Sequence, residues 1–214
     1  MSVPEKDTAI KAARREKMLE EAWNIFAEQS IENISMEELA GKLNCGKKTL
    51  YRYFESKPDL IVAVATWKME KFREDNRKRR LNADFDGMTS AEIFEFLLES
   101  FMELYRNHKD LLRFNQFFNV YVNSEKLDKK TLKPYIGMIE KARAQFHDMY
   151  LKAEEDHTIK TDEPEAVMFS TTLHLMLAAA TRYAVGLVYE TEDGFDAEGE
   201  LLVLKEMLLD RYRT

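Results

Sequence analysis

Apolar positions in this chain recur every three or four residues almost throughout, the spacing of helices that bury one face. After a polar arm over residues 1–8, Leu19, Ala22, Trp23 and Phe26 form the stripe of a first helix over 9–29, with Met18 and Ile25 beside it. Two short helices follow over 35–43 and 47–54, then a long one over 57–81, entered through Ser56 and Pro58. Residues 84–89 read as a loop. Thr89 and Glu92 make a capping box for a helix that ends near Asn107. Residues 111–123 are apolar on most sides and predict a buried helix. A long amphipathic helix over 127–156 has Pro134 near its true start. A helix capped by 161–164 runs to 190, and a last one covers 197–212. The expected fold is all-α. A three-helix N-terminal domain over 1–56 precedes a larger helical domain over 57–214.

Residues 35–54 carry the sharpest local pattern. Ser35 and Glu38 have capping-box spacing, and Met36, Leu39, Ala40 and Leu43 fall on one face. Asn44 tolerates the left-handed conformation that ends a helix. Cys45 is small enough to plug the angle between two helices, and Gly46 frees the backbone to enter the next. Leu50 and Phe54 then face inward, leaving Lys47, Lys48, Thr49, Tyr51 and Arg52 outward. The pattern is a helix-turn-helix. Its outer face has the cations, hydroxyls and long side chains that DNA reading requires, although a helical hairpin with a solvated face has the same spacing.

Composition narrows the class. The chain has 214 residues, 45% hydrophobic and 33% charged, with only 7 Gly and 4 Pro, a globular helical profile. One cysteine excludes an intramolecular disulfide and a cysteine-rich zinc site. The four histidines are scattered, so no metal is expected. The polar N-terminus has no secretory pattern, and the apolar run 167–188 contains His174 and Arg182, which suits a buried helix better than a membrane span. A cytoplasmic protein is expected.

The net charge of −7 changes meaning once it is divided. Residues 1–82 hold 17 Lys+Arg against 14 Asp+Glu, and residues 83–214 hold 15 against 25. The acid therefore lies away from the helix-turn-helix. The mildly basic N-terminal part is expected to bind DNA as a dimer. Lys11, Arg14, Arg15 and Lys17 in the first helix are either a solvated face or phosphate contacts.

Residues 26–64, FAEQSIENISMEELAGKLNCGKKTLYRYFESKPDLIVAV, resemble the TetR family of bacterial transcriptional regulators, above all in Thr49-Leu50-Tyr51, Tyr53-Phe54 and Ser56-Lys57. By position, the resemblance implies that Lys47 and Lys48 approach bases. It implies that Thr49, Tyr51, Tyr53 and Lys57 touch phosphate or sugar, with Arg52 among them. Ser35, Met36 and Glu37 match a helix start close to DNA, and Arg15 matches a first-helix basic position. Ser30 and Asn44 replace usual glycines, Gly46 a usual capping residue and Cys45 a usual valine.

The implied function is a ligand-responsive repressor that is not an enzyme, needs no cofactor and binds a near-palindromic operator in double-stranded DNA. A homodimer is expected through the last two helices, where Leu201, Leu204, Leu208 and Tyr212 form a stripe, unless that stripe closes its own subunit's core. A largely apolar small-molecule effector is expected in the larger domain. Trp67, Met102, Tyr105, Phe114, Asn115, Phe118, Tyr121, Phe146, Met149, Tyr150 and His174 are the candidate lining residues, although such a set is also what a plain core looks like. A constitutive DNA-binding adaptor with a protein partner is the alternative reading.

Overall fold

A computed structural model of the chain describes residues 3–28, 31–81, 85, 87–189 and 191–214. Among the described residues there are nine helices: α1 (Val3–Glu28), α2 (Met36–Lys42), α3 (Lys47–Tyr53), α4 (Lys57–Leu81), α5 (Ser90–Asn107), α6 (Lys109–Ser124), α7 (Lys129–Asp156), α8 (Glu165–Val185) and α9 (Ala197–Tyr212). Extended pairing among them is confined to one antiparallel bridge, Ile159 to Arg213.

Local chemistry sets several of these ends. The Ser35 backbone N–H donates to Glu38 Oε2 at 2.7 Å, and the Glu38 N–H donates back to Ser35 Oγ at 3.2 Å. Thr89 and Glu92 repeat the arrangement at the start of α5, with 2.7 and 3.3 Å. Two orphan donors are satisfied at each start. Asp59 N–H donates to Ser56 Oγ at 3.2 Å, so Ser56 opens α4 as its sequence suggests.

Four expectations need correction. The arm over 1–8 is helical from Val3, with only Met1 and Ser2 outside the described residues. Pro4 suits that start, since a first-turn residue needs no N–H. Pro134 is not at the start of α7 but six residues in. Asp128 caps that helix instead, accepting from Thr131 N–H at 2.8 Å. The missing Pro134 N–H leaves the Lys130 carbonyl to solvent on an exposed turn. Helix α8 stops at Val185 rather than near 190, because Gly186 takes φ 109°, a conformation that L side chains rarely adopt. Glu190 itself lies outside the described residues, as do Ser30 at its replaced-glycine position and Asp84 and Asp86 of the loop over 84–89. In α9 the stripe offered for a dimer is mostly spent at home: Leu201, Leu208 and Tyr212 are buried within the subunit.

The chain divides into two compact units. The first contains the described parts of Met1–Lys71 together with Phe114–Met138; the second contains the described parts of Phe72–Arg113 and Ile139–Thr214. The first unit is held by aromatic contact across distant sequence. Trp23 and Phe26 of α1 meet Phe114 of α6 at centroid separations of 4.9 and 6.4 Å. Phe118 packs on Tyr135 at 4.8 Å, and the Tyr135 hydroxyl donates to buried Asn115 at 2.7 Å. Such ring pairs contribute beyond the area they bury. The second unit has its own cluster, in which Phe94 meets Phe146 and Tyr212 edge-on and Phe146 meets Phe169.

Candidate nucleic-acid interface

The turn between α2 and α3 has the geometry of a Schellman cap. Asn44 adopts φ 48°, its N–H donates to Gly41 O at 3.1 Å, and the Cys45 N–H donates to Ala40 O at 3.0 Å. Cys45 is half-buried in the angle, and burial pushes its thiol pKa up, away from the reactive thiolate form. Gly46 caps α3 without a side-chain bond. Leu39 and Leu50 are fully buried and Phe54 is 1% exposed, which fixes α3 against α2 and the rest of the unit.

That anchoring leaves Lys47, Lys48, Tyr51 and Arg52 exposed on α3, with Thr49 and Tyr53 half-buried beside them. Lys47 Nζ lies 3.0 Å from Glu37 Oε2, and this hydrogen bond raises the lysine pKa. Arg52 sits over the Tyr53 ring at 5.6 Å. Arg15 lies over the Phe54 ring at 5.1 Å, which steers its guanidinium toward the end of α3. Ser35 and Glu37 are exposed at the start of α2. Met36 is 7% exposed: its side chain belongs to the core, and only its backbone faces the α2 start.

Lys57 is engaged more deeply than its sequence suggests. Its ammonium donates to the Glu32 carbonyl at 3.0 Å and lies 5.9 Å from the Tyr121 ring centre. Burial lowers its pKa against the opposing pull of Glu125, Glu32 and Glu38. Glu32 and Tyr121 were missed by sequence reasoning as parts of this end of the unit. No local pattern links a lysine to a carbonyl 25 residues earlier or to a ring 64 residues later.

The candidate effector residues divide between the units. Trp67, Phe114, Asn115, Phe118 and Tyr121 fall in the first, and Met102, Tyr105, Phe146, Met149, Tyr150 and His174 in the second. Phe114, Asn115, Phe118 and Tyr121 are buried, the first three within the aromatic cluster on α1 and α7. Met102, Tyr105, Phe146, Met149 and Tyr150 are buried in the second unit, and the Tyr150 hydroxyl donates to the Glu163 carbonyl at 2.8 Å. Trp67 is half-buried with Lys71 over its ring. His174 is corrected: it is exposed on α8, because the inward face of that helix is taken by Met168, Phe169, Thr172, Met176 and Ala180. Among the described residues no group of three His, Cys, Asp or Glu is placed to hold a metal, and no helix is long and apolar enough to cross a membrane.

A family model described as bacterial regulatory proteins, tetR family, matches residues 18–64, the stretch whose geometry is given above. Over this stretch the chain carries the N-terminal region of the TetR family. The relatives it matches are named as regulators. It is 30% identical over 99 residues to the HTH-type transcriptional regulator SAR2658 of Staphylococcus aureus (strain MRSA252), covering 46% of this chain and 51% of that protein. The chain thus spans about half the length of the staphylococcal relative it matches. It is 23% identical over 175 residues to the uncharacterized HTH-type transcriptional regulator YvdT of Bacillus subtilis (strain 168), covering 82% and 84% of the two chains. In fold it is similar to the transcriptional regulator FadR of Bacillus subtilis, solved in complex with stearoyl-CoA. That likeness has a TM-score of 0.67 and 14% identity and covers 90% of this chain and 96% of that one.

Proposed function

We propose that this chain is a sequence-specific DNA-binding transcriptional repressor, released from its operator by a small-molecule effector. The observation that carries the reading is the exposed face of α3: Lys47, Lys48, Tyr51 and Arg52 stand outward on a helix whose inward side, Leu50 and Phe54, is sealed. Long cationic and hydroxyl-bearing side chains on a short, rigidly seated helix suit base edges and phosphates in the major groove. In functional terms residues 1–56 read DNA, and residues 57–214 bind effector and partner.

Homodimerisation through α8 and α9 completes the reader. Support comes from apolar side chains left exposed there: Val167 and Leu175 on α8, and Leu202, Val203 and Met207 on α9. Two copies of α3 then enter successive major grooves roughly 34 Å apart on a near-palindromic site. A largely apolar effector is supported by the buried aromatic and methionine residues of the second unit and by the stearoyl-CoA held by FadR. Effector binding biases the spacing of the two readers, and a coupling of about 1–3 kcal/mol lowers DNA affinity roughly 5- to 150-fold. The proposed site of action is the cytoplasm.

Selection of bound sequences from random double-stranded DNA tests this reading. A palindromic motif supports it, and a protein that enriches no sequence overturns it.

A further inference from the structure

The acidic part of the chain contains a basic stretch at the turn between α6 and α7. Residues 124–133 carry Lys126, Lys129, Lys130 and Lys133 against Glu125 and Asp128. All four lysines are exposed. None of their ammonium groups is in an ion pair with a described residue. The basic end of α4 is different, since Arg77 and Lys78 there are paired with Glu74 and Asp75. Three of the four lysines fall in the first five residues of α7, where the helix dipole disfavours cations and no acid occupies the first turn. Solvation alone gives no reason to collect them at that end.

Their position gives one. The turn from α6 to α7 belongs to the same compact unit as α2 and α3. Tyr121, Ser124 and Glu125, at the end of α6, share a cleft of ≈ 530 Å³ with Glu32, Lys57 and Pro58. The Lys57 ammonium in that cleft feels Glu125 together with Glu38, which caps the start of α2. The α6–α7 turn therefore sits beside the starts of α2 and α4, in the same unit as the α3 face that the proposed function puts against DNA. Lys126 follows Glu125 directly and takes φ 50°, so the chain turns sharply there before α7 begins. Of the carboxylates facing this region, Asp128 is held in the α7 cap and Glu38 in the Ser35 capping box. Glu32 and Glu125 remain beside Lys57.

We infer that the α6–α7 turn is a second DNA-backbone contact, in which Lys126, Lys129 and Lys130, with Lys133 behind them, bind phosphates flanking the stretch read by α3. The inference rests on the proposed DNA-binding function. Its chemistry carries no sequence information: ammonium groups on a helix start neutralise phosphates and release counterions. The contact thus lengthens the footprint and steepens the salt dependence without changing the motif.

The test uses the full chain and two duplexes carrying the selected motif, one cut at the motif edges and one extended on both sides. Dissociation constants are measured against potassium chloride concentration for the wild type, for K126Q/K129Q/K130Q and for K126R/K129R/K130R. On the extended duplex the glutamine variant is expected to flatten the log–log salt slope of the dimer by about 5, three lost phosphate contacts in each of two subunits at about 0.9 per contact. On the trimmed duplex its slope should match the wild type. The arginine variant should keep the wild-type slope on both, which separates lost charge from a folding defect. An unchanged slope for the glutamine variant on the extended duplex overturns the inference while leaving the DNA-binding reading intact. Failure of the wild type to enrich any DNA overturns the reading itself.

Discussion

Lys47 Nζ and Glu37 Oε2 are 3.0 Å apart, so the first residue of the recognition helix is already paired with the helix before it. Both side chains are more than half exposed, at 54% and 76%, and an exposed pair of this kind adds little to stability. On the proposed DNA-binding function its effect falls on DNA, because Glu37 would both occupy the lysine and present a negative charge to phosphate. Glu37→Gln is expected to raise DNA affinity while leaving the melting temperature unchanged, as read by gel shift and thermal unfolding. Weaker binding by this variant would mean instead that Glu37 pre-positions Lys47 for base contact.

Outward and inward residues of α3 should separate cleanly. Lys48 is exposed and Leu50 fully buried, two positions apart. Lys48→Ala should abolish retention in a gel shift with an unchanged urea midpoint. Leu50→Ala should lower unfolding free energy by about 2–5 kcal/mol, the range for large-to-small core changes.

Phe114 lies far outside residues 1–56, yet it touches Trp23 at 4.9 Å and Phe26 at 6.4 Å. Phe114→Ala should cost about 3–5 kcal/mol. The loss should appear as faster amide exchange in α1 as well as in α6. A peptide of residues 1–56 should show little cooperative unfolding, because the partner face for Trp23 is absent from it. Cooperative melting of that peptide at the full-length temperature would refute the account of how the first unit is held.

Asp156 gives a prediction in pH. Its carboxylate accepts from the Ser90 N–H and hydroxyl at 2.6 Å each and from the Thr158 N–H at 3.0 Å. Burial opposes ionisation, but these hydrogen bonds prevail and bring the pKa from 3.8 down to about 2. A depressed carboxylate pKa adds stability above the unfolded value, and that stability is lost as pH falls through the folded value. The stability difference between wild type and Asp156→Asn should therefore be constant above about pH 5 and shrink as pH falls from about 4 toward 2. Urea titrations at stepped pH read this directly.

On α9 the exposed and buried apolar residues predict opposite outcomes. Val203 and Met207 are 60% and 63% exposed, whereas Leu208 is 4% exposed. Val203→Glu with Met207→Glu should give a folded monomer by sedimentation, with weakened operator binding. Leu208→Glu should unfold the second unit. A double variant that remains dimeric would place the partner surface elsewhere.

The parts legible in sequence are those decided within a few residues. Capping-box spacing located the starts of α2 and α5, and Asn44 located the left-handed turn. The inward and outward positions of α3 followed from helical spacing. Decisions that depend on remote partners were not legible. Periodicity marked α6 as buried nearly all round, but Phe117 and Val120 are exposed on it; nor could it say that Phe114 and Phe118, on the other face, join the aromatic cluster of the first unit. His174 stands in an apolar run, yet it is exposed because the run supplies apolar residues to both sides of α8. Met36 occupies a position that the family resemblance sets near DNA, but its own apolar side chain turns it into the core.

The membership of the first unit has a consequence for how the chain is made. Residues 47–53 leave the ribosome early, but Phe114, Phe118 and Tyr135, on which that unit closes, come much later. At about 5–20 residues per second, that interval lasts roughly 4 to 17 s. During it Trp23 and Phe26 have no completed aromatic partner, so a nascent or prematurely terminated chain carries the recognition sequence without the seat that presents it.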